Sequence, residues 1–185
     1  MPVEPQELLR RYFINTLFDS TFVVLGVLAA SAFITDADPD IALGALFAAC
    51  LAIGISSAVS VYEAEHVEIE IKMQEIEKAT LSSVEGTEVE RKARISAYAV
   101  AITNFFAPVF VAIVMGTPLL LYEAELISDF GIAATLSSIL GIGIIFGAGY
   151  YLGTLGRGRP WLRAVRMSVI AVLAFGALVL FERLL

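Results

Sequence analysis

The stretch EAEHVEIEIKMQEIE, residues 63–77, sets six glutamates, one histidine and one methionine within fifteen residues. On a helix, where successive side chains advance by about 100°, Glu63, His66, Glu70, Met73 and Glu77 fall within an arc of roughly 80°. Carboxylate oxygens, one imidazole and one thioether make a mixed, borderline-soft donor set. It suits Fe(II), Mn(II) or a similar ion, whereas a calcium or magnesium site ordinarily uses oxygen alone. Glu65, Glu68 and Glu75 lie on other faces and are placed to serve a neighbouring helix, and Glu68 with Lys72 is an ordinary i,i+4 pair. A solvated glutamate-rich helix presents such a stripe without binding anything, so a diffuse acidic surface is the competing reading. Further along, SSVEGTEVER (residues 82–91) reads as a turn followed by a capped helix start. It carries Glu85, Glu88 and Glu90 back across a hairpin toward the stripe.

A second acid stands apart from this cluster. Asp19 lies just inside the apolar run FDSTFVVLGVLAAS, residues 18–31. Counting about 1.5 Å per residue from Tyr12 puts it on the order of 10 Å into a bilayer. An ionised carboxylate facing lipid at that depth costs about 1–3 kcal/mol. No lysine or arginine lies deep in any apolar stretch, so water, a proton or a bound cation must compensate. The structural reading is a neutral or hydrated acid hydrogen-bonded to Ser20, Thr21 or Asn104. The functional reading, the default for an acid within a membrane, is a proton or metal carrier on an ion path.

The elements that must hold these groups follow from composition. Hydrophobic residues make up 58% of the 185-residue chain, more than a soluble domain of this size carries. Five apolar stretches, 12–34, 41–62, 97–122, 132–155 and 162–181, each approach the roughly 20 residues needed to cross a hydrocarbon core. The expected fold is therefore an all-α integral membrane protein with five transmembrane helices. It forms a single domain, residues 1–185, with a short acidic cytoplasmic hairpin at 63–96 between helices 2 and 3. No proline or glycine interrupts residues 55–79, so helix 2 should continue out of the membrane as one rod. Pro108 and Pro118 should kink helix 3, a disturbance tolerated in membrane helices whose neighbours satisfy the freed backbone groups. In helix 4 two Gly-x-x-x-Gly pairs, Gly143 with Gly147 and Gly149 with Gly153, predict close helix approach. Cys50 has no intramolecular partner and reads as a small packing residue.

Orientation follows from the basic residues, which concentrate on the cytoplasmic side of membrane proteins. Eleven of the twelve lie at alternate ends of the five stretches: Arg10 and Arg11, the set between spans 2 and 3, and Arg157, Arg159, Arg163 and Arg166. Only Arg183 falls on the other side. The N-terminus is expected inside and the C-terminus outside, with the acidic loops TDADPD and EAELISD external. The net charge of −7 reflects those loops and the hairpin; it carries no nucleic-acid signature. RRYFINTLF followed by ASA superficially matches a twin-arginine signal, but Asn15 and Asp19 interrupt its apolar core, and the segment is expected to remain as span 1. An enzyme is the weakest class. An intramembrane aspartyl protease needs two intramembrane aspartates, and His66 has no nucleophile nearby in a recognisable motif.

Five spans, Asp19 followed by VVLGV, the segment GISSAVSVYEAEHVEIE running into a glutamate-rich helix, and the ending GYYLGTLGRGRPWLRAVRMSVIAV together resemble the vacuolar iron transporter family and its prokaryotic relatives. The resemblance implies a homodimer in a prokaryotic cell membrane that moves Fe(II) or Mn(II) out of the cytosol in exchange for protons. It implies no organic cofactor. Asp19 matches the family's span 1 aspartate on the ion path, and Glu63, Glu65, Glu68, Glu70, Met73 and Glu77 lie where the family's metal-capturing region begins. Two departures stand out. The family's span 2 motif SMAAGEY places a methionine and a glutamate where this chain has Ser57 and Val61, and the cytoplasmic segment here is much shorter. The alternative is a membrane protein that binds metal or a basic partner through its acidic hairpin without translocating anything.

Overall fold

A computed structural model describes residues 5–32, 38–156, 158–182 and 184. It contains five helices: α1 (Pro5–Ala32), α2 (Pro39–Thr80), α3 (Glu88–Glu123), α4 (Phe130–Leu155) and α5 (Pro160–Glu182). All five are long and apolar enough to cross a membrane. Arg157, Arg183 and residues 33–37, which include the first half of the first acidic loop, lie outside the described residues.

Local chemistry explains where the helices start. Proline, with no N–H to lose and its φ already set for a helix, occupies the first position of α1, α2 and α5. Asp38 caps α2, its carboxylate accepting from the N–H groups of Asp40 and Ile41 at 3.0 and 3.3 Å. Thr87 caps α3 and Asp129 caps α4 in the same way. Between α2 and α3 the chain turns through Leu81, which takes a left-handed φ of 54° and is almost fully exposed. With 42 and 36 residues, α2 and α3 are on the order of 60 and 55 Å long, well beyond a hydrocarbon core of about 30 Å.

Helices α1 and α3 are central and α5 is peripheral: half of α3's apolar window is buried against only 11% of α5's. The core is built from Leu25 and Leu28 of α1, Leu46 of α2, Met115 and Leu119 of α3, and Ile145 of α4. Gly141 permits this convergence, because a Cβ there would stand 2.5 Å from Met115 Cε and 3.4 Å from Thr21 Cγ2. The outward faces carry Ile102, Phe106, Phe110 and Ile113 on α3 and Val169, Val172 and Leu173 on α5, all exposed. Such continuous apolar exposure is what a lipid-facing surface requires.

Two sequence expectations meet a more specific outcome. Gly149 and Gly153 pack as anticipated, their Cβ positions 3.1 Å from Ala164 Cα and 2.5 Å from Pro160 Cα of α5. Gly143 and Gly147 do not: both are exposed, with nothing within 4 Å of a Cβ. The first pair therefore closes the α4–α5 turn, and the second leaves an open strip on α4. Helix α3 is assigned as one helix through Pro108 and Pro118. Near Pro118, the Ser137 hydroxyl of α4 donates to the carbonyl of Met115, tying the two helices together where a proline removes a backbone donor.

Candidate functional site

The stripe on α2 divides in the folded chain. Glu70, Met73 and Glu77 line a crevice of about 390 Å³ between α2, the turn and α3, together with Glu85, Glu90 and Arg94. This is the juxtaposition of stripe and hairpin that the sequence suggested. His66 sits to one side, its Nε2 3.4 Å from Glu70 Oε1 and its ring stacked on Tyr62 with centroids 5.7 Å apart. Glu63 is exposed on α2. Glu88 leaves the crevice and pairs with Arg91 at 2.7 Å, while Glu68 pairs with Lys72 at 3.2 Å.

Two carboxylates in the crevice also hold the turn together. Glu77 Oε1 accepts from the Val84 N–H at 2.9 Å and the Ser83 hydroxyl at 3.1 Å. Glu90 accepts from the Gly86 N–H at 2.8 Å and from Arg94 Nε at 2.9 Å, and its own N–H reaches the Thr87 hydroxyl at 3.4 Å. The Thr87-x-x-Glu90 spacing is a capping box shifted by one residue, in which the glutamate reaches the N–H preceding the cap. The Gly86 N–H, and after it Arg94, hold the Glu90 carboxyl below the ordinary glutamate range. Glu70, Met73 and Glu85 are left as the donors not engaged in the turn, Glu70 carrying His66 beside it. Among the described residues no three His, Cys, Asp or Glu side chains form a group that could hold a metal ion.

Glu65 has a different environment. It is 8% exposed and accepts a 3.0 Å hydrogen bond from the Tyr12 hydroxyl of α1, so it joins two helices rather than lining the crevice. The sequence pointed to a neighbouring helix for this residue without identifying which. Tyr12 could not have been found by spacing, since its partner lies 53 positions away.

Asp19 departs from its structural expectation. The hydroxyls of Ser20 and Thr21 turn back to the carbonyls of Thr16 and Leu17 in their own helix, at 2.5 and 2.7 Å. Asn104 is buried, with no hydrogen-bond partner at either amide atom among the described residues. Asp19 instead lies on the outward face of α1, where Asn15 Nδ2 donates to its Oδ2 at 3.3 Å. Arg11, Asn15, Asp19 and Val23, at i,i+4 spacing, form one exposed stripe along that helix. At the family motif's positions, Ser57 is half-buried and donates to the Gly54 carbonyl, and Val61 is buried.

At the opposite end of the bundle, Asp40, Glu123 and Glu125 border a wide cleft of about 770 Å³ between the start of α2 and the α3–α4 connection. Acidic residues therefore stand at both ends of the helices, with Asp19 along the outside between them. No protein-family model, curated protein or solved structure matches the chain.

Proposed function

We propose that the chain is a homodimeric transporter of a divalent metal ion, Fe(II) or Mn(II), that moves its substrate out of the cytosol by exchange with protons. In this reading the N-terminus is inside, the C-terminus outside, and the hairpin formed by the ends of α2 and α3 stands in the cytoplasm. The observation that carries it is Asp19. An acid with an amide beside it, on the exposed face of an apolar helix, is costly against hydrocarbon and inexpensive against a second polar helix face. Two protomers packed through this stripe of α1 would enclose two Asp19–Asn15 pairs along a polar seam. Each carboxylate could then exchange a proton for a metal ion. Glu70, Met73 and Glu85 would gather ions at the cytoplasmic mouth, with His66 orienting Glu70.

Reconstituted protein tests this directly. Uptake of Fe(II), Mn(II), Co(II) and Zn(II) into proteoliposomes, with and without a pH gradient, should show gradient-dependent flux of the first two. Asp19→Asn should abolish that flux while the variant keeps its helical content and oligomeric state, since the substitution removes charge with little change of shape. Normal flux in the variant would reduce Asp19 to a structural acid.

A second reading draws support from the crevice itself. Glu77 and Glu90 are engaged by the turn, and Arg94 brings positive charge to the same walls. That arrangement is compatible with an acidic hairpin that docks a basic partner or buffers metal without translocation.

A further inference from the structure

The open strip left by Gly147 forms one wall of a feature that the transport reading does not use. Between the first turns of α1 and the last turns of α4 runs a groove of about 490 Å³. Its principal lining residues are Arg10, Phe13, Ile14, Leu17, Gly147 and Tyr151. The two helices are antiparallel, so Arg10 and Tyr151 stand toward the start of α1 and the end of α4, and Leu17 and Gly147 lie at the other end of the groove. Over the residues from Leu9 to Leu17 it extends about 12 Å along the helix axis. The walls are predominantly apolar side chains, and the glycine provides depth: nothing lies within 4 Å of where a Gly147 Cβ would be.

We propose that this groove holds one acyl chain of an anionic glycerophospholipid, with the lipid phosphate on Arg10. The inference rests on the membrane reading of the five helices and on no transport activity. Four observations converge. On the α4 side, Phe146 and Tyr150, next in sequence to the lining Gly147 and Tyr151, are exposed, so that side of the groove is suited to hydrocarbon chains, while the Arg11–Asn15–Asp19 stripe runs along α1 beside it. Arg10, half-buried at the end toward the start of α1, has no carboxylate within ion-pair distance among the described residues, which leaves its guanidinium free for a phosphate. Other basic residues lie at the same end, with Arg11 beside it and Arg159, Arg163 and Arg166 at the start of α5. Basic pockets between transmembrane helices select anionic head groups in this way, each basic residue near an anionic surface contributing about 1 kcal/mol. Tyr151, exposed opposite Arg10, is the amphipathic ring expected at head-group depth.

Native mass spectrometry of the detergent-purified chain, titrated with phosphatidylglycerol and phosphatidylcholine of matched acyl length, tests the site. The wild type should retain one phosphatidylglycerol with at least about fivefold preference over phosphatidylcholine, the ratio expected of one unpaired basic residue. Arg10→Gln should lower that preference by about fivefold. Gly147→Leu should fill the groove and lose both lipids. Gly143→Leu, one turn away on an equally open position, should retain the wild-type adduct and show that a leucine on this face does not prevent folding. Circular dichroism and melting of each variant accompany the titration. Equal retention of the two lipids by the wild type, or an undiminished adduct in Gly147→Leu, would overturn the proposal. So would a Gly147→Leu variant that keeps its lipid but changes its dimer fraction, because the groove would then belong to a second copy of the chain.

Discussion

Tyr12 and Glu65 show how the bundle accommodates an acid it does not expose. The carboxylate is 8% exposed, and the tyrosine of α1 supplies its hydrogen bond at 3.0 Å. Removing only the donor leaves a buried acceptor unsatisfied, which costs about 1–3 kcal/mol, whereas removing both partners together is close to neutral. Tyr12→Phe should therefore lower the melting temperature and Glu65→Leu should change it less. The double variant should recover most of the Tyr12→Phe loss. Thermal melts of all four members of this cycle in one detergent measure the coupling; strict additivity would mean that the two groups do not depend on each other. Asp19 is the contrasting case, since among the described residues its hydrogen bond comes from Asn15 of its own helix, and it faces outward. The sequence revealed that Asp19 was anomalous because an acid in an apolar run is visible in one dimension. It could not reveal the direction of the side chain, because polar residues stand on both sides of it, Asn15 on the outward face and Thr16, Ser20 and Thr21 on the buried one. Asn104 was legible only as a polar residue at a suitable depth. Its burial without a hydrogen-bond partner among the described residues emerges only once the helices pack around it.

At the scale of the hairpin, the same residues serve the turn and the crevice. The i,i+3/i+4 periodicity identified Glu70, Met73 and Glu77 as neighbours, and they do share a wall. Periodicity could not show that Glu77 would accept from Ser83 and Val84, because those bonds depend on how the chain turns at Leu81. Nor did it separate Glu85, which lines the crevice, from Glu88, which pairs with Arg91. Residues Glu63, Glu70 and Glu77 climb about 10.5 Å per seven positions, so no single ion can reach all three and each ion needs donors from a second segment. Replacing Glu70 and Met73 together should weaken Mn(II) binding tenfold or more, while Glu68 with Glu75, outside the crevice, should matter less. Calorimetry on purified protein at two pH values checks this, and affinity should rise with pH as the ligands deprotonate. Equal losses from the two pairs would identify a diffuse acidic surface and favour the non-transporting reading. Glu90 adds a separate pH dependence. Its folded carboxyl titrates below the ordinary glutamate value because of Gly86 and Arg94. Its stabilisation of the turn is therefore fully present above that ordinary value and is lost as pH falls through the lowered one. Hydrogen exchange of residues 82–91 should accelerate over that interval in the wild type and show no such step in Glu90→Gln.

For the whole molecule, composition and length carried most of the fold. Five apolar segments became five helices, and the uninterrupted residues 55–79 became the long extension of α2. The reason is physical: in hydrocarbon every backbone group must be satisfied within its own segment, so apolar length translates almost directly into helix. Lateral arrangement is not written so plainly. The Gly-x-x-x-Gly spacing occurs twice in α4, yet only Gly149 and Gly153 meet another helix, because Pro160 returns the chain onto that face and nothing returns it onto Gly143 and Gly147. Orientation relative to the two membrane faces depends on the basic residues, eleven of which occupy the N-terminal end and the ends alternating with it. With five crossings, the two termini must lie on opposite sides. In a Cys50→Ala background, single cysteines placed at Glu4 and after Leu185 should therefore react unequally with a membrane-impermeant maleimide in intact cells. The C-terminal cysteine should label at once, and the N-terminal one only after permeabilisation. Cys50 is buried within α2, so replacing it with alanine removes background labelling with little change in packing. Equal labelling of both cysteines in intact cells would require an even number of crossings and would overturn the five-span arrangement. The reverse order would preserve five spans and invert the chain, placing the α2–α3 crevice and Arg10 on the outer surface, and would count against the proposed gathering of metal from the cytosol.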